Sequence, residues 1–148
     1  MKKYFSIFLA FVMCFMILPA NAAFEEVYRD TEIIHTEDGD IEVETVLTIQ
    51  HSLLRAKART ASKAQTFKAD GTTIANVTLT ATFQYDGNTV SVTNTDSTYT
   101  TYDGWSYKSE KITTSGGTAK LSAKLAKTSY VDVAVNISMT CTVDGTIS

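Results

Sequence analysis

The chain has 148 residues and a formal charge of −3, with 20% of its residues charged and 44% hydrophobic. That length suits one domain of ordinary size and is too short for two. The acidic balance argues against nucleic acid as the main partner, since neutralising phosphates takes a surplus of Lys and Arg.

Residues 1–22 read as a secretory signal peptide. Lys2 and Lys3 precede an apolar run from Tyr4 to Leu18, and the segment closes on Ala20-Asn21-Ala22. A positive start, a short apolar centre and a small-x-small exit make up that signal. The run is about fifteen residues, short of the roughly twenty that span a bilayer as a helix. The expected product is secreted and extracellular, with no membrane span once the leader is gone. Losing Lys2 and Lys3 takes the charge from −3 to −5. Phe11-Val12-Met13 are too bulky for a lipoprotein cleavage signal at Cys14, so Cys141 is the single remaining thiol.

Residues 23–59 form an acidic extension with a basic connector. Nine carboxylates lie between Glu25 and Glu44 against Arg29 alone, and Arg55, Lys57, Arg59, Lys63 and Lys68 follow. Ile33-Ile34 and the run Ile41–Leu47 flank Glu37-Asp38-Gly39-Asp40, which predicts a β-hairpin. Comparison with a calcium loop fails on register. With Gly39 at the sixth position, Ile34 and Thr45 fall where carboxylates belong. Leu53 to Ala64 contains good helix formers and predicts either a short helix or an exposed connector.

From residue 60 onward the pattern is sheet. Serine and threonine exceed a quarter of the chain after residue 22, and no proline follows Pro19. Threonine at solvent-facing strand positions fits that composition, since its branched β-carbon favours extended backbone. Val77, Leu79, Ala81, Phe83 and Tyr85 alternate with polar residues before the Asp86-Gly87-Asn88 turn, and Val90 and Val92 resume the alternation. Asp70-Gly71 predicts an earlier hairpin, and Ser115-Gly116-Gly117 joins a strand from Trp105 to one over 118–127. Val131 to Val143 alternates strictly over about thirteen residues, with Cys141 on the apolar face. Together these predict an all-β fold, an antiparallel immunoglobulin-like β-sandwich of about seven strands over residues 60–148. Trp105 is expected in a central strand between the sheets.

Little in the sequence carries reaction chemistry. His35, His51 and Cys141 are isolated, and no pair has zinc-ligand spacing. A thiol on an apolar strand face is a poor nucleophile, and no serine sits in a G-x-S-x-G context. Most carboxylates crowd the amino-terminal hairpin, where solvation accounts for them. No catalytic residue, metal or cofactor is expected. Tyr99, Tyr102 and Tyr107 cluster around Asp103-Gly104 and are the candidate ligand-contact aromatics. Tyr99 and Tyr102 have opposite strand parity, so they cannot share one face without a bend.

Arg59–Lys63, Phe83-Gln84-Tyr85-Asp86-Gly87, Gly104-Trp105-Ser106 and Thr140–Gly145 occur in that order. This resembles small secreted Ser/Thr-rich β-sandwich proteins of Gram-positive gut anaerobes such as Clostridia, over roughly residues 59–146. The resemblance implies no catalytic residue. Similar sequences often carry a cysteine after the Tyr-Asp/Asn-Gly turn, suited to bridging the carboxyl-terminal one, where this chain has Val92. The resemblance therefore implies that Val92 and Cys141 lie side by side, with Cα atoms roughly 4.4–6.8 Å apart. The expected function is binding or surface interaction without catalysis, with a ligand the sequence does not identify and a cell-surface protein or carbohydrate as candidate partners. A bacteriocin-like toxin, a wall- or glycan-directed hydrolase and a surface-fibre subunit are its rivals.

Overall fold

The computed structural model describes residues 24–50 and 57–148. Residues 1–23, where the leader is expected, and 51–56, which include His51 and Arg55, lie outside the described residues. Alternation of apolar and polar side chains, cut by Gly-containing turns, yields eight strands. They are β1 (Phe24–Thr36), β2 (Gly39–Gln50), β3 (Ala58–Ala69), β4 (Thr72–Tyr85), β5 (Val90–Thr101), β6 (Ser106–Ser115), β7 (Thr118–Ala126) and β8 (Val133–Thr140). Strands β1 to β5 form one sheet and β6 to β8 another, each in chain order, and all pairings are antiparallel.

The expected all-β, two-layer antiparallel architecture is therefore the observed one. Within each sheet every strand pairs with its sequence neighbour through a hairpin, and only the β5–β6 connection crosses between sheets, unlike the Greek-key order of immunoglobulin domains.

The turns follow from their residues. Asp70-Gly71 and Asp103-Gly104 take positive φ throughout (49° and 77°, then 53° and 78°), which Asp tolerates and Gly adopts freely. At the β4–β5 turn Asp86 Oδ1 accepts from Asn88 N at 2.8 Å and Thr89 N at 2.7 Å. Those bonds hold its carboxyl below the usual carboxylate range.

The core lies between the sheets. Phe67, Leu79 and Phe83 of the large sheet meet Leu121, Leu125, Ile137 and Met139 of the small one, all nearly sealed from solvent. Strand β2 joins that core through Val43 and Leu47, so the acidic hairpin belongs to the same sheet as the later strands. Residues 58–64, expected as helix or connector, are strand instead. Residues 61–64 pair with both β2 and β4, and 58–60 with β4, and those ladder bonds outweigh local helix propensity. Trp105 is buried as expected but lies in the turn before edge strand β6, not in a central strand. Trp105 N donates to Tyr102 O at 3.0 Å, and the indole packs tilted on Tyr130 at 5.7 Å, closing one end of the sandwich.

The alternation at the carboxyl terminus also ends earlier than its pattern. Val131 and Val143 are exposed, and the chain turns back so that Cys141 bridges Ile147. Two glycines make that return possible. A Cβ on Gly117 would meet the Cys141 carbonyl and lie 2.8 Å from Val90 Cγ1, and one on Gly145 would overlap the Tyr85 ring. Val92 N donates to Gly116 O and Cys141 N to Gly117 O. Both residues of the proposed lost bridge are thus tied to the β6–β7 turn.

Candidate functional site

The three candidate tyrosines do not make one surface. Tyr99 and Tyr107 stack at 4.2 Å with a 22° interplanar angle. Tyr99 is opposite buried Val77 and Tyr107 opposite buried Leu125, so both rings lie on the core-facing side at the open edge between β5 and β6, Tyr107 partly buried and Tyr99 56% exposed. Tyr107 Oη donates to Glu110 Oε2 at 2.7 Å, and Ser97 Oγ donates to the same oxygen at 2.8 Å. Burial first, then the Glu110 carboxylate, pushes the Tyr107 phenol well above its usual range. This cluster fastens one sheet to the other, and each ring covers a face of its partner. Tyr102 has left the strand, with Asn76 Nδ2 3.5 Å from its hydroxyl.

A cleft of about 260 Å³ lies at the Trp105 end. Its carboxylates Asp38, Asp40, Asp70 and Asp103 look like a cation site in outline, but two are already engaged. Asp38 Oδ2 accepts from Val131 N at 2.6 Å, anchoring the β7–β8 loop. Asp40 is 2.7 Å from His35 Nδ1. Among the described residues no group of three His, Cys, Asp or Glu side chains is placed to hold a metal ion.

A nucleophile–base pairing of Cys141 with His35 fails on distance. His35 borders the turn that anchors Val131, just before β8, whereas Cys141 follows the far end of that eight-residue strand. At 3.2–3.4 Å per residue they stand on the order of 25 Å apart. Cys141 is 2% exposed, and burial pushes its thiol up, against a small opposing pull from Arg59.

The larger concavity, about 560 Å³, was not found by sequence reasoning. The large sheet has five strands and the small one three, so the inner faces of β1 and β2 extend past the edge of β8. Leu47, Ile49 and Ile147 form the floor, while Val27 and Tyr28 stand half exposed at the wall. Arg59 and Lys63 of β3 enter from the side. Arg59 Nη1 donates to Gly145 O at 3.0 Å and Lys63 Nζ to Ser138 O at 2.9 Å, and burial lowers the Lys63 ammonium below its usual range. The groove joins apolar walls to two cations held on carbonyl oxygens. Its sequence signal was present but disguised. Lys63 and Gln65 occupy inward positions of β3, where alternation calls for apolar residues, and the helical reading of 53–64 hid that parity.

No family model, curated protein or solved structure matches this chain.

Proposed function

We propose that this is a secreted, non-enzymatic binding protein whose ligand is an apolar molecule carrying an anionic group, held in the groove between β1–β2 and the carboxyl-terminal return. The leader-like residues 1–22 support export. The groove supports binding, since small-ligand sites are typically concave, mostly apolar and roughly 300–1,000 Å³, with a few convergent polar groups. The observation that carries the reading is Lys63. Its ammonium is partly desolvated beside apolar walls, so an anion arriving there gains a charge-assisted hydrogen bond worth more than one in open water.

The test is calorimetric titration with dodecanoate and with its uncharged methyl ester. Dodecanoate binds, and the ester binds about tenfold or more weakly, the size expected for one hydrogen bond to a charged group. Lys63→Gln removes that preference while the ester's affinity holds, and Val27→Ser with Tyr28→Ser weakens both. Equal affinity for acid and ester, or binding unchanged in both variants, overturns the reading.

A further inference from the structure

A second surface, on the opposite side of the small sheet, carries a charge pattern that folding alone does not explain. Strand register places Lys108 directly opposite Lys124, Lys111 opposite Ser122, and Lys120 opposite Thr113. All four lysines are exposed and lie on the face away from the core, because the alternate residues Ala119, Leu121 and Leu125 are buried. Like charges directly opposite one another across a ladder are destabilising. The cross-strand partners on β8 are small and uncharged: Ser138 beside Lys120, Asn136 beside Ser122, and Ala134 beside Lys124.

Counter-charge is scarce on this face. Glu110 is the one carboxylate within the three strands, and it is bonded by Tyr107 of its own strand and by Ser97 of β5. Asp132, just before β8, comes within 3.8 Å of Lys124. The result is a flat face of four cations, roughly 13 Å long from Lys120 to Lys124 at strand rise, set among hydroxyls and amides. It belongs to a chain that is acidic overall.

We propose that the outer face of β6–β7–β8 docks a linear phosphate polymer. Lysine suits repeated phosphates as a mobile point charge. Among the described residues the face presents no aromatic ring on which nucleic-acid bases would stack, so it fits a backbone of phosphates rather than a base sequence. A second copy of the chain is the other source of anionic charge, yet two carboxylates on the outer face of its β2 strand are already paired. Glu44 pairs with Arg29, and Glu42 with Lys68 at 3.3 Å.

The test uses the full chain and fluorescently labelled inorganic polyphosphate, followed by anisotropy across a salt series. Affinity falls linearly with salt on logarithmic axes, with a slope near −0.7 per lysine engaged. Lys108→Ser with Lys120→Ser lowers affinity at least tenfold and halves the slope, whereas Lys68→Ser, on the other sheet, changes neither by more than twofold. Lys108→Thr alone raises the urea midpoint while weakening polyphosphate binding, an opposition that a purely structural lysine would not show. Three results each overturn the proposal. The first is polyphosphate affinity that does not respond to these variants. The second is self-association that needs the lysines, without polymer binding. The third is capture by anionic phospholipid vesicles without binding to polyphosphate. None depends on the groove, whose residues these variants leave untouched.

Discussion

Tyr107 shows how a single side chain couples the two sheets to pH. Its phenol is held neutral by burial and by donating to Glu110, so the native state resists ionisation that the unfolded chain undergoes at the usual tyrosine value of about 10. The sign follows from linkage. This contribution to stability is fully present below that pH and is lost as pH rises above it, because the unfolded state then releases the proton first. Urea unfolding between pH 8 and 11.5 shows the midpoint falling beyond about pH 10, and Tyr107→Phe flattens that fall. An identical decline in the variant would place the effect elsewhere. Gly145 is decisive at the same scale for steric reasons. Its φ is +87° and a Cβ there would overlap the Tyr85 ring, so Gly145→Ala costs about 1–3 kcal/mol, read from denaturant midpoints.

At the scale of elements, β1 is the exception. Among the described residues it pairs only with β2, and almost all of its thirteen residues are exposed, including Phe24, Val27, Tyr28 and Ile33. A long open edge of that kind invites pairing with other chains. Two features blunt it: a register shift between Glu26 and Tyr28, and the acidic residues Asp30 and Glu32. Those residues lie opposite Thr45 and Val43, hence on the core-facing side. Inward charges and bulges are what keep natural edges from adding strands. Asp30→Val with Glu32→Val should therefore convert the chain to concentration-dependent oligomers in sedimentation velocity while leaving strand content by circular dichroism unchanged. A monomeric double variant would show that the bulge alone suffices. The threonine excess is also an element-scale fact. Thr60 meets Thr82 at 2.9 Å and Ser62 meets Thr80 at 2.8 Å across β3 and β4, so hydroxyl pairs line a face that the core does not use.

Across the whole molecule, the legible parts of the sequence were those where burial and turn chemistry agree. Val77 to Phe83, Ala119 to Leu125 and the Asp-Gly turns announced strands because each alternation faces one core and ends at a residue suited to positive φ. Residues 58–64 were not legible, since Arg, Ala and Lys favour helix locally and become strand only through pairing with β4 and, from Ala61 on, with β2 as well. The groove was invisible for a related reason. It arises from five strands meeting three, a property of the sheets' unequal widths rather than of any segment. That inequality also makes the amino-terminal hairpin integral to the fold. Val43 and Leu47 are 1% and 2% exposed beneath the small sheet, and removing β2 would bare both the β3 edge and the floor of the core. Full-length protein should therefore unfold in urea as one transition, with Trp105 fluorescence and far-ultraviolet circular dichroism coinciding. Trp105 reports on the end where β1–β2, β3–β4 and β7–β8 converge, so its signal follows both sheets. A chain beginning at residue 58 should lose cooperative unfolding and bind a hydrophobic dye. If that truncated chain instead keeps a sharp transition, β3 to β8 form a unit of their own and the hairpin is an appendage.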